Sequence, residues 1–380
     1  MAFAQDTAAL SGMRYQEEKR KSNDMAVSII VSALTCTCAR FAEDIRNVVN
    51  DLRPGGLRVL PILSVGGVQN VKDILFLRGI DMAIVQQDNL HVLKKTDPAL
   101  YANIESRVQY ITKLYNAEVH ILARKDIRTL ADLEGKVVSY HLEDSPAATT
   151  AENIFNTLKI KPKKVYYDHE LAIEKLTRGE IAAHFVMTGA PQPAVRAIKK
   201  EDGLHFLPID EDTLPGYNVK PLLAEYLPAE LTRELYPNLI EEGKPVPTIA
   251  NRALLAVYNW PENSERYNRV VKFVHEFFGQ IDKFHDHSRH RKWNEVNLAA
   301  EMPGWVRFKP AREWLEGRKT AVATQTAGSS GDGDAKSAFE NFVASYTAST
   351  GKPITPKDRD ALIGEFKQYL DKRVTKSTSR

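Results

Sequence analysis

The sequence predicts an α/β protein built on largely parallel sheets, and three observations carry that prediction. Short apolar runs alternate with amphipathic ones through most of the 380 residues. The apolar runs are continuous in the manner of strands buried on both faces, which is the signature of a parallel sheet. The junctions carry helix boundary signals, with Ser-Pro or Asp at the starts and Gly at the ends. The length allows two or three domains, or two lobes of one larger fold.

Each element follows in order. Residues 5–24 are polar and charged and read as a mobile arm or a short exposed helix. "MAVSIIVSAL" is a buried strand, and "FAEDIRNVVNDL" places Phe41, Ile45, Val48, Val49 and Leu52 on one helical face. Pro54-Gly55-Gly56 breaks the chain. "LRVLPIL" is a second strand, "VQNVKDILFLRG" a helix closed by Gly79, and "IDMAIVQ" a third strand. "AEVHILA" and "KVVSY" read as strands, and Ser145-Pro146 opens a helix as N-cap and first helical residue. "DHELAIEKLTRG" is an Asp-capped helix, followed by the strand "EIAAHFVM", the strand "TIANRALLAVYN" and the helix "SERYNRVVKFVHEFFGQ". From Ala321 the composition turns to a Gly/Ser/Ala/Thr linker. Beyond it, Phe339, Phe342, Val343 and Tyr346, then Leu362, Ile363, Phe366, Tyr369 and Leu370, make two amphipathic helices.

Composition excludes several functions. The formal net charge is +3, without a basic block, so neither nucleic acid nor another polyanion is expected as partner. No apolar run is long enough to span a membrane. Ala2-Phe3-Ala4 fits the small-x-small pattern at a signal-peptidase site, which suggests a mature exported chain whose signal peptide is gone and whose starting Met was added for expression.

Candidate functional residues sit on the loops that follow strands, where open α/β sheets bind ligands and helix N-termini favour anions. The first loop, "SALTCTCARF", offers Thr35, Thr37 and Arg40. The second, "SVGGVQN", offers Ser64, the close-approach pair Gly66 and Gly67, and the amides of Gln69 and Asn70; it matches neither a P-loop nor a dinucleotide fingerprint. The third offers Gln86 and Gln87. "SYHLEDSPAATT" offers His141, Ser145 and Thr149, and "MTGAPQPAV" offers Thr188 and Gln192. Tyr140 and Tyr217 read as cleft walls, whereas Trp260, Trp293, Trp305 and Trp314 read as packing residues. Cys36 and Cys38 are open to three readings: an oxidised C-x-C pair, small buried thiols, or part of a soft-metal site that lacks enough ligands. His275, His285, His287 and His290 lie among Lys, Arg and Asp and read as a solvated patch. Neither a catalytic triad nor a carboxylate pair stands out, so no enzyme activity and no cofactor are expected.

Four stretches carry a resemblance to a known family. "GGVQNVKDILFLRGIDMAIVQQDN", "ITKLYNAEVHILARKDIRTLADLEGKVVSY", "RGEIAAHFVMTGAPQPAV" and "VPTIANRALLAVYNWPENSERYNRVVKFVHEFF" resemble the TAXI-family solute receptors of TRAP transporters, over residues 25–315. The resemblance implies a two-lobed type II periplasmic binding protein, here with a C-terminal helical extension. Lobe 1 would be 25–120 plus 248–315 and lobe 2 121–247, with a mobile arm over 1–24, a linker over 316–335 and a helical tail over 336–380. It implies a periplasmic receptor that closes on a small anionic solute, a carboxylate or amino acid, and delivers it to a membrane permease. The sequence departs from the family at the first loop, where "ALTCTCARF" replaces a glycine-rich segment, and Arg40 is the candidate anion contact there. Two alternatives stand beside this reading: a sensor or accessory binding protein docking through its C-terminal helices, and a thiol- or metal-dependent periplasmic protein.

Overall fold

The computed structural model describes residues 2–53 and 55–328, with side chains described from 12 to 318. The first half alternates β1 (Ala26–Val31), α2 (Thr37–Val49), β2 (Arg58–Leu63), α3 (Gly67–Phe76), β3 (Met82–Gln86), α4 (Asn89–Thr96) and α5 (Ile104–Arg107), preceded by α1 (Ala2–Asp24). A long strand, β4 (Val108–Arg124), leads into β5 (Val137–Ser139), α6 (Pro146–Leu158), β6 (Lys163–Val165), α7 (His169–Thr177), β7 (Ala183–Thr188), α8 (Pro193–Arg196), β8 (Leu204–Phe206), α9 (Lys220–Glu225) and β9 (Leu227–Leu231). A second long strand, β10 (Val246–Tyr258), returns to α10 (Glu265–Gly279) and α11 (Lys309–Gly328).

The main path of the sheet runs β2-β1-β3-β10-β4-β7-β5-β6. Its two halves mirror each other. β1 pairs in parallel with β2 and β3, and β5 pairs in parallel with β6 and β7. In each half a long strand joins antiparallel to the third: β10 to β3, and β4 to β7. β10 and β4 pair antiparallel with each other at the centre, so both crossovers run through the middle of one sheet. This is the two-lobed α/β arrangement of type II periplasmic binding proteins.

Packing explains why the strands read as unbroken apolar runs. On β1, Val27, Ile29 and Val31 face one core and Ile30 the other; on β3, Met82 and Ile84 oppose Ala83 and Val85. Helices α2 and α10 cover the first face through Phe41, Ile45, Phe273 and Phe277, and α3 and α4 cover the second through Val71, Ile74, Leu90 and Leu93. In the other half, α6 covers one face with Ala151, Ile154 and Phe155, and α7 the other with Ala172 and Leu176. Burial of both faces leaves no position for a polar alternation. The core clusters change over between Ala117 and Val119 on β4, and between Ile249 and Ala253 on β10.

Several segments differ from the sequence expectation. Residues 2–24 form one continuous helix, longer than the short one read as the alternative to a mobile arm, because Gln, Glu, Lys, Arg and Ala favour helix and the Glu17–Lys21 and Arg20–Asp24 pairs lie four residues apart. The beginning of the expected linker, 316–328, is helical as the end of α11, since its Ala, Thr and Gln residues include no proline. The tail helices expected over 336–380, and the linker beyond 328, lie outside the described residues. "AEVHILA" is only the later part of β4, whose first residues, "VQYITKLYN", mix polar and apolar types.

Candidate functional site

The carboxyl ends of β1, β2, β3, β5 and β7 meet at a cavity of about 40 Å³ between the two halves of the sheet. Thr35, Cys36, Cys38, Gly66, Gly67 and Gln86 line it from one side, His141, Pro146, His169, Met187 and Thr188 from the other, and Tyr115 and Ala117 from the crossover strand β4. A space this size holds little more than a water molecule. The two sides are in direct contact around it. Thr37 Oγ1 lies 3.1 Å from Thr188 Oγ1 and donates to the Gly189 carbonyl at 3.1 Å, which leaves the Thr188 hydroxyl to donate back.

The paired glycines explain how the sides come so close. Gly66 has φ 93° and caps α3, and a Cβ there would lie 2.7 Å from Ser32 Cβ and 3.2 Å from Pro146 Cδ. A Cβ on Gly67 would lie 3.3 Å from the Pro146 nitrogen. The concavity they open therefore receives the first turn of α6. Gly189 repeats the device opposite, with Thr37 Cγ2 3.0 Å from where its Cβ would stand.

The first loop is shaped by a Cys36–Cys38 disulfide, which decides among the readings of this pair. Cys36 is the N-cap of α2, and its sulfur accepts the Ala39 N–H at 3.2 Å. Cys38 Sγ accepts the Ser32 N–H at 3.4 Å. On the far side, Ser145 caps α6 by accepting the Ala148 N–H. The N-termini of α2, α3 and α6 thus all border the cavity through Cys36, Gly67 and Pro146, and their aligned peptide dipoles make it electropositive without a cationic side chain.

Three histidines form a chain against the cavity. His141, at φ 67°, stacks on His169 with ring centroids 4.2 Å apart. His169 Nδ1 lies 3.0 Å from His184 Nε2, and His184 Nδ1 lies 3.1 Å from Ser139 Oγ. Burial holds His141 down at about 4 and His169 at about 3, and it holds the fully buried His184 well below its ordinary value. All three are neutral at pH 7. Tyr115 beside them is pushed upward by burial and keeps its proton. With the imidazoles neutral, no lining side chain is charged.

The expected site residues divide into groups. Thr35, Gly66, Gly67, Gln86, His141 and Thr188 line the cavity, and the Oε1 of Gln86 is buried without a partner. Thr37 bridges its rim. Ser145 and Thr149 lie in the first turn of α6, with Thr149 Oγ1 donating back to the Ser145 carbonyl. Gln192 caps α8 through Val195 N–H. Ser64 and Gln69 turn to Asp73. Asn70 is fully buried behind the strands, donating to the Ile84 carbonyl. Gln87 accepts from Arg252 and faces a different opening, of about 710 Å³, with Asp88, Lys94, Glu225 and Trp305.

Arg40 is the clearest correction. It is absent from the cavity lining, and its guanidinium points away to Glu43 (3.0 Å), Asp44 (3.5 Å) and the Ser288 carbonyl (2.9 Å). The cause is Asp44, a buried carboxylate that already collects the Trp293 indole N–H and the His290 N–H on that side of α2. Tyr140 and Tyr217 are corrected too. Tyr140 is buried and stacks on Phe155, Tyr217 packs on the same core, and Tyr115 takes the cleft position. Sequence reasoning missed His169, an exposed-looking residue after an Asp cap, and His184, hidden inside an apolar strand. Of the late histidines, His275, His285 and His287 are exposed, and His290 is half-buried with Nδ1 accepting the Lys292 N–H.

Similarity to known proteins was found at two levels. Among solved structures, the chain resembles the ligand-binding component of an ABC-type import system from Staphylococcus aureus with zinc bound, at 12% identity and a TM-score of 0.41, covering 70% of this chain and 76% of that one. It also resembles the substrate-binding protein of an amino acid ABC transporter, at 14% identity and a TM-score of 0.41, over 69% and 97% of the two chains. Likenesses this distant say nothing about what this chain binds. A family profile described as NMT1-like matches residues 45–303, well over half of the sequence. The chain belongs to the NMT1-like family.

Proposed function

We propose that this protein is an extracytoplasmic receptor that captures a small carboxylate-type solute between its lobes and delivers it to a TRAP-type permease. One observation carries the reading of the site: strand-end loops from both lobes and three helix N-termini converge on a single cavity whose lining has no charged side chain. Backbone N–H groups at helix N-termini hold anions, and hydroxyl, amide and neutral imidazole donors supply orientation. Arg40 has no part in this version of the site. In this reading the solute is bound and released unaltered. The TRAP assignment is supported by the resemblance of the four quoted stretches to TAXI receptors, and so is the periplasmic location that such receptors share.

A thermal-shift screen of carboxylates, amino acids and sulfonates tests the solute class. A true ligand at about 100 times its dissociation constant stabilises by about 2.7 kcal/mol. A screen in which only uncharged or cationic compounds stabilise the protein would remove the carboxylate assignment. Delivery is tested with membrane vesicles carrying a TRAP-type permease. Uptake of the identified ligand must depend on added receptor, and uptake without that dependence ends the permease assignment.

A further inference from the structure

The Cys36–Cys38 disulfide is unusual in its place. A ring closed over one intervening residue constrains the unfolded chain far less than a long-range bridge does, so it adds little to the fold. It lies instead on the candidate site, where both cysteines border the interlobe cavity. Cys36 is half-buried, whereas Cys38 is only 6% exposed. Each sulfur already accepts a backbone N–H, Cys36 from Ala39 and Cys38 from Ser32, and the pair occupies the first turn of the 13-residue helix α2. Those are the conditions that stabilise a thiolate and make it a good leaving group. No carboxylate lines the cavity to oppose them.

We propose that Cys36–Cys38 is an exchange-active disulfide that reacts with thiols reaching the cleft. The thiolate of an entering low-molecular-weight thiol attacks the more exposed sulfur, Cys36 Sγ. A new S–S bond forms there, the Cys36–Cys38 bond breaks, and its electron pair leaves on Cys38 Sγ, which takes up the proton lost by the entering thiol. A second thiol attacks the outer sulfur of the mixed disulfide and frees Cys36 as a thiol. Two thiols are oxidised to one disulfide, and the protein disulfide is reduced to a dithiol. The proposal is independent of which solute the cleft binds.

The test uses the full chain in native buffer with reduced glutathione or 2-mercaptoethanol, quenched in acid and analysed by intact mass and peptide mapping. The expected result is a mixed disulfide on Cys36. A second measurement follows thiolate absorbance against pH in a Cys38→Ser variant, where the remaining thiol is expected to titrate at or below about 7.5, against about 8.5 for free cysteine. The wild-type exchange reaction needs no variant, so a poorly folding Cys38→Ser chain leaves it decisive. A disulfide that forms no adduct until urea unfolds the chain overturns the proposal and makes the bridge a loop staple. A Cys36 thiol titrating at about 8.5 or above in the folded variant overturns it as well.

Discussion

At the scale of single residues, two positions decide how the cleft is built. Gly66 adopts φ 93° and ψ −167°, a region closed to side chains, with Ser32 and Pro146 already where a Cβ would go. Gly66→Ala is expected to destabilise the fold by about 1–3 kcal/mol from backbone strain alone, measured by urea unfolding. A change below about 0.5 kcal/mol would mean that the α3 and α6 termini are not held this close. The histidines supply the second residue-scale prediction. His120 and His184 are fully buried and kept neutral by desolvation, His120 at about 3 and His184 well below its ordinary value. The unfolded chain binds protons on both near pH 6.5 while the folded one does not, so stability is complete above about 6.5 and falls as pH drops below it. Asp88 works the opposite way: burial, with Glu225 nearby, raises it to about 6, so it favours the folded state as pH falls through that value. The imidazoles that burial holds low, with His141, His169 and His290 joining these two, outnumber the carboxyls it raises, Asp81, Asp88 and Glu118, and a loss of at least about 1 kcal/mol is expected between pH 7 and 5. Chemical denaturation at the two pH values checks it, and equal or greater stability at pH 5 would contradict neutral burial of these rings.

At the scale of elements, the crossover strand β4 is tied to both sides of the molecule by one carboxylate. Glu118 Oε2 accepts the Ala190 N–H at 2.8 Å, and Oε1 accepts from the ammonium of Lys292, itself only 6% exposed. Burial pushes Glu118 upward and the lysine pulls it back. Lys292→Met removes the counter-charge and leaves a buried carboxylate unpaired, an expected loss of about 3–5 kcal/mol by denaturation at pH 7. The loss should shrink at acid pH as Glu118 protonates, and a pH-independent loss would point to packing alone. Helix α6 supplies a gentler test. Ser145→Ala deletes the cap that receives the Ala148 N–H and is expected to cost about 1 kcal/mol. Caps such as Ser145 and Asp168 were legible in the sequence because their chemistry is local. The short strands β6, β8 and β9 were not, since three to five residues carry too little periodicity to separate strand from loop.

At the scale of the whole molecule, the lobes touch, and the cavity between them is about 40 Å³. A solute of several heavy atoms needs more room, so binding in this cavity requires the lobes to separate from their present contact. Small-angle X-ray scattering with and without saturating ligand is expected to show a change in radius of gyration. An unchanged profile with a bound solute would move the solute elsewhere, the wider opening beside Asp88 and Trp305 being the place to look.

The sequence by itself determined the α/β class, the order of the long elements and the strand-end loops on which the candidate site stands. These follow from local periodicity and from helix boundary chemistry, which act over a few residues. Tertiary structure alone decided which of those loops' side chains face the cavity. Arg40 was turned away by the buried carboxylate of Asp44 and by Ser288, far along the chain, and His169 met His184 only because α7 packs against β7. Gly66 and Gly67 could be seen to open a hollow, but that Pro146 fills it depended on a packing between segments some eighty residues apart, and such contacts leave no mark in local sequence.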